Sequence, residues 1–254
     1  MPLPVPKALA LHGANAMIVM ALAAPLAVAA ADATCSAKAG LRMPTLVELY
    51  TSEGCDSCPP ADRWLSKLKG KPDLVALAFH VDYWDRLGWK DRFASPAYTQ
   101  RQAQQQRSNG ARFSYTPQVV VDGLDRPSWS GPVPSDARGA APVQLSLSRE
   151  GDRYVAKVQP IAAGPARLSG FWAVTESGHV SVVKAGENSG ATLAHDFVVR
   201  EYLPVAAWSA KADAPVTLQF TPATPADPAH PRQLNLVLVD ADSGRPVHAM
   251  KLDC

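Results

Sequence analysis

LVELYTSEGCDSCPPADRWLSKLKG, residues 46–70, changes its apolar period within one short stretch. Its first six residues, LVELYT, are apolar and β-prone, which predicts a strand. Further on, Ala61, Trp64, Leu65 and Leu68 recur every three or four residues, which predicts a helix that stops near Gly70. Between the two lies Cys55-Asp56-Ser57-Cys58. A helix N-terminus presents free N–H groups and partial positive charge, so a cysteine there is favoured as the thiolate. Cys55 is then the nucleophile. Cys58, one turn on, can reach the same sulfur and close a disulfide or release a trapped partner. Pro59 and Pro60 suit a first helical turn, where no N–H is required.

Outward from this stretch the alternation continues. LVALAFHV (74–81) is a continuous apolar run of strand length, Ser95-Pro96 opens a Gln-rich helix that Asn109-Gly110 stops, and TPQVVVDG (116–123) gives a third strand and a turn. The order strand, helix, strand, helix, strand predicts a sheet with parallel strands covered by helices. A C-x-x-C pair can also be half of a zinc site or an inert bridge. No second pair or paired histidines lie nearby to complete four ligands, and the strand–helix junction favours redox chemistry.

Residues 124–142 are rich in proline, glycine and serine and predict a linker or irregular excursion. Beyond it, seven segments alternate apolar and polar residues with turn signals between them: 143–150, 152–161, 166–176, 180–186, 195–205, 214–222 and 232–240. That pattern predicts an antiparallel sandwich. The expected fold class is therefore an α/β thioredoxin-like domain, about 41–140, followed by an all-β sandwich-like domain, about 141–254.

The N-terminus places the protein outside the cytoplasm. Lys7 precedes an uncharged, mostly apolar run to Ala31 that ends in small residues around Ala29, Ala31 and Ala33, the order of a secretory signal peptide over 1–33. Gly13, Asn15 and Pro25 interrupt it as a membrane span, so no stable membrane insertion is expected after cleavage. Removing 33 of the 254 residues leaves 221, ample for a core, in a periplasmic or secreted protein. With 25 Lys+Arg against 23 Asp+Glu, nothing attracts nucleic acid or an anionic membrane strongly. All four cysteines survive cleavage into an oxidising compartment. Chain termini often lie close together, so Cys35 and Cys254 are expected to form a structural disulfide.

With the C-x-x-C, the strand–helix order and Thr116-Pro117 ahead of a strand, residues 45–123 resemble the thioredoxin superfamily. The resemblance implies a cis peptide at Pro117 facing the disulfide, with the backbone at Thr116 pairing an extended substrate. Thioredoxins also carry a buried acid six residues before the first cysteine. Glu48, seven before Cys55 on the same strand, is the counterpart that the resemblance implies: buried, it is a proton acceptor for Cys58, and pointing outward, an ordinary surface charge. VELYTSEGCDSCPPAD, AFHVDYWDRLGWKDRFASP, YTPQVVVDG and GENSGATLAHDFVVRE, in that order, are similar to the secreted bacterial family called domain of unknown function 1223. That family's substrate is not established. The proline-rich 124–142 departs from thioredoxins, whose last helix it is too broken to form.

His80, Asp82, Tyr83, Trp84 and Trp89 follow the second strand, where such sheets bind ligands, and are either candidate substrate-binding residues or an aromatic cap on the core. GENSGATLAHDFVVRE shows no catalytic spacing and reads as a turn and strand facing the first domain. Arg101, Arg107 and Arg112 read as a solvated helix face. The function expected is an exported thiol–disulfide oxidoreductase of reductase or isomerase type that needs no cofactor and acts on thiol- or disulfide-bearing proteins. The alternative is a non-catalytic binding or metal-delivery protein with Cys55 and Cys58 as ligands, which His80 could join.

Overall fold

In the computed structural model, which describes residues 1–4, 35–133, 139–211 and 214–253, a short strand β1 (Ser36–Lys38) precedes the predicted order. β2 (Thr45–Thr51), α1 (Pro59–Ser66), β3 (Leu74–His80), α2 (Pro96–Ser108), β4 (Gln118–Val121) and β5 (Leu124–Asp125) follow. All residues of β2 and β3 are buried, as continuous apolar runs require when both faces are covered. The second half contributes β6 (Val143–Glu150), β7 (Arg153–Pro160), β8 (Arg167–Glu176), β9 (His179–Val182), β10 (Thr192–His195), β11 (Val198–Ser209), β12 (Val216–Phe220), β13 (Arg232–Asp240) and β14 (Pro246–Leu252). The seven alternating segments are all strands. β1, β10 and β14 carry no comparable pattern.

The expected α/β thioredoxin-like domain followed by an all-β sandwich-like domain is not what forms. The chain is mostly β, with two α-helices among the described residues, and strands of both halves share one eight-stranded sheet ordered β14-β13-β8-β11-β3-β2-β4-β5. The join is the parallel pairing of Val198 on β11 with Ala78 on β3. It satisfies main-chain groups that an isolated first sheet would leave at an open edge. β1, β6, β7 and β12 form a second, four-stranded sheet, and among the described residues β9 pairs only with β10.

Strand periodicity sorts the core. Leu46, Tyr50, Leu77 and Phe79 face α2 together with Phe171 and Val237. Val47, Leu49, Ala76 and Ala78 face α1 through Ala61 and Leu65. On the α1 side, further along the same sheet, Trp172, Val174 and Leu236 pack against Leu145, Leu147 and Val158 of the four-stranded sheet. Cys35 packs against that last cluster. Its expected partner Cys254, and residues 5–34 of the expected signal segment, lie outside the described residues. No helix among the described residues is long and apolar enough to cross a membrane.

Candidate functional site

The strand-to-helix junction places Cys55 in the turn after β2 and Cys58 as the residue capping α1, with Pro59 and Pro60 in its first turn. The two cysteines are joined by a disulfide, Cα atoms 5.4 Å apart. Cys58 N–H donates to Cys55 O at 3.2 Å, and the Asp62 N–H to Cys58 O at 3.1 Å, so the pair runs directly into the helix ladder. Both cysteines are fully buried, while Asp56 and Ser57 between them are exposed.

The Thr116–Pro117 peptide is cis. Trp84 ties that segment to the cysteine turn: its Nε1 donates to Thr116 Oγ1 at 2.8 Å, and a Cβ on Gly54 would stand 3.0 Å from Trp84 Cβ. Tyr83 lies beside Trp84, with ring centroids 6.2 Å apart. Asp82 is held by Thr99, and Trp89 Nε1 donates to Glu53 Oε2 at 2.7 Å. Trp84 and Trp89 therefore flank the turn. Asp82 is bound to α2 instead.

A buried polar cluster stands on the α1 face of the sheet, made largely of residues that motif spacing does not single out. His80 Nδ1 lies 2.6 Å from Asp91 Oδ2, and Asp91 also accepts the N–H groups of Glu53 and Phe93 at 2.9 Å. Burial opposes ionisation of Asp91, but the charge and hydrogen bond of His80 bring its pKa down to about 2. Burial likewise disfavours the His80 cation, and Asp91 more than offsets this, raising the imidazole above its ordinary value. His195 Nε2 lies 3.3 Å from Glu53 Oε1, and the His195 ring is 5.0 Å from that of His80. Burial pushes Glu53 up, yet His195, Ser181 and Trp89 hold it below the usual carboxylate range. Asp62 accepts from Thr51 Oγ1 at 3.2 Å, and its burial raises its carboxyl above the usual range.

Glu48 is on the other face. Successive strand side chains point to opposite sides, so Glu48 shares the α2 side with Leu46 and Tyr50, where Arg101 Nη2 binds it at 2.7 Å and Gln105 Nε2 at 2.8 Å. The structure does not bring it to Cys58. Arg101 is correspondingly buried rather than solvated, its guanidinium 4.3 Å from the Phe171 ring centroid.

The hairpin β9–β10 supplies the remaining contacts. Asn188 Nδ2 donates to Glu53 O and to Cys55 O, both at 2.9 Å, and the Glu187 carboxylate accepts the Asp56 N–H at 3.2 Å. GENSGATLAHDFVVRE thus sits on the cysteine turn. Its Gly, Asn and Glu are the local signal of a tight, polar loop, but nothing in the sequence names the carbonyls it binds. A cavity of about 1040 Å³ is lined by Ser36, Lys71, His248 and Lys251 among others and includes neither Cys55 nor Cys58.

Residues 46–239 match the family model described as Protein of unknown function (DUF1223). The fold is similar to the X-ray crystal structure of a protein from Agrobacterium tumefaciens, at 29% identity and a TM-score of 0.64, over 84% of this chain and 96% of that one. A search of curated proteins gives no match.

Proposed function

The chain belongs to the family of unknown function DUF1223, and from that premise we propose that it is an exported thiol–disulfide oxidoreductase of the reductase or isomerase type, acting on cysteine-bearing proteins. The observation that carries this reading is the Cys55–Cys58 disulfide at the first turn of α1 with a buried acid, Asp62, one helical turn beyond Cys58.

The helix start favours the Cys55 thiolate. In the reduced protein that thiolate attacks a substrate disulfide, forms a mixed disulfide and expels one substrate thiolate. Cys58 then attacks the Cys55 sulfur, re-forms the internal disulfide and expels the second. Cys58 is buried, so its proton needs an acceptor within the protein, and Asp62 is the acid positioned for it, in place of Glu48. Trp84, bonded to Thr116 and packed on Gly54, lines the approach to the turn.

Removing only the resolving cysteine tests the reading. Cys58→Ser, expressed with its N-terminal segment, is expected to accumulate reducible high-mass adducts on Cys55, and Cys55→Ser none. Mass spectrometry of the adducts identifies the substrates. Absence of adducts from both variants, each melting like wild type, refutes the exchange function.

A further inference from the structure

Both partners of the Cys55–Cys58 disulfide are buried, and a thiolate must reach a sulfur directly to attack it. Beside the nearer Asp91 and Trp89 on Glu53, two side chains bound to the turn around Cys55 come from more than 130 residues away: Asn188 on Glu53 O and Cys55 O, and Glu187 on the Asp56 N–H. Both belong to residues 184–191, the tip of the β9–β10 hairpin.

The tip and its stem differ physically. In the stem, His179, Ser181, Leu193 and His195 are buried and anchor the hairpin. In the tip no residue is buried. Gly186 and Gly190 have φ of +74° and +87°, left-handed conformations that glycine enters without steric cost. The hairpin is also a sheet of its own, so movement of its tip breaks no ladder of the two larger sheets.

We propose that residues 184–191 are a removable cover over the Cys55–Cys58 disulfide, latched by Asn188. Once released, the carbonyls of Glu53 and Cys55 accept main-chain N–H groups of an extended, cysteine-bearing polypeptide. The identity of this ligand rests on the oxidoreductase reading. The Asn188 amide is the same kind of donor as a main-chain N–H. Without Asn188, Glu53 O loses its side-chain donor while Cys55 O keeps the Cys58 N–H; a buried carbonyl left short of a donor is costly, so latch and substrate compete for one place and their exchange is close to like for like. Strand-like addition of this kind selects extended chains over small thiols.

Reduction by dithiothreitol provides the test. Its first thiolate breaks the S–S bond, leaving a mixed disulfide on Cys55 and a free Cys58. Its second thiol closes the oxidised ring and frees Cys55. Asn188→Ala is expected to be reduced at least about tenfold faster than wild type, and Glu187→Ala faster by a smaller factor, with unchanged melting. Rates within about twofold of wild type overturn the cover.

Amide exchange in the wild-type protein gives an answer even where Asn188→Ala folds poorly. Residues 53–58 should exchange by local opening, well ahead of the β13 amides; protection equal to that of β13 overturns the cover. For the ligand, a cysteine peptide should react at least about tenfold faster than the same peptide N-methylated on either side of its cysteine. Equal rates overturn the assignment of Glu53 O and Cys55 O. If Asn188→Ala speeds dithiothreitol while Cys58→Ser traps no protein, the cover stands and the oxidoreductase reading falls.

Discussion

Asp62 accepts a hydrogen bond from Thr51 Oγ1 at 3.2 Å. The contact holds a buried carboxyl against the end of the strand that leads to Cys55, on the helix that Cys58 caps. Thr51 lies on the α1 face of β2 together with Val47 and Leu49, so the acid and the disulfide share one side of the sheet.

Asp62→Asn separates proton transfer from stability. The raised pKa of Asp62 means that the folded state binds its proton more tightly than the unfolded chain, so stability falls as pH rises from the ordinary carboxylate range through the raised value. Asparagine keeps the acceptor for Thr51 without that cost. The variant is expected to melt above wild type at neutral pH while its thiol–disulfide exchange slows by about 10²-fold. Calorimetry and stopped-flow exchange measure the two. Exchange at the wild-type rate removes Asp62 from the mechanism.

Glu48→Gln should do the reverse. The Glu48–Arg101 pair is buried, and removing one charge leaves the other uncompensated, a cost of about 3–5 kcal/mol. Urea denaturation should show that loss. The exchange rate of the folded protein should stay within about twofold, because Glu48 stands on the opposite sheet face from Cys58. A slowed exchange step with little loss of stability would return Glu48 to the proton path.

The His80–Asp91 pair predicts the acid limb of stability. Asp91, lowered to about 2, contributes stability that is fully present above the ordinary Asp pKa and is lost as pH falls through about 2. His80, raised, contributes below the ordinary histidine value and loses that contribution as pH rises through its folded pKa. Asp91→Asn is expected to cost on the order of 2 kcal/mol near pH 5 and to flatten the decline between about pH 4 and 2. An unchanged acid slope in the variant would show that other carboxylates govern it.

Charge around the cysteine turn sets the redox poise. Asp56 adjoins Cys55, and the Glu187 carboxylate lies 3.2 Å from the Asp56 N. Both oppose a thiolate that the start of α1 favours. The expected reduction potential is roughly −200 to −270 mV, nearer the reducing dithiols than the strong oxidants. Equilibration with glutathione measures it, and a value above about −150 mV would contradict this charge balance.

Local features of the chain were decisive for the elements. Side-chain direction repeats every two residues in a strand and every 3.6 in a helix, so 46–70 alone announces the β2–α1 junction and puts both cysteines at the helix start. The same rule marks β3, β4 and the alternating strands of the second half, and Ser95-Pro96 marks the start of α2. It also assigns Glu48 to a face, but not which face carries α1.

Pairing between distant segments was beyond reach for a physical reason. Strands join through main-chain N–H and C=O groups that every residue carries, so no local pattern states that Val198 adds β11 beside Ala78 on β3 and merges two expected folds into one sheet. The burial of Arg101 by Glu48 spans 53 residues, and Asn188 meets its partners across more than 130. Asn188 binds carbonyls rather than side chains, which leaves no residue type to read. By itself the sequence determined the two helices, the strands other than β1, β5, β10 and β14, and the position of the dithiol. Only the tertiary structure decided that Glu48 faces α2, away from Cys58, and which loop lies on the turn, because both follow from packing across the sheet rather than along the chain.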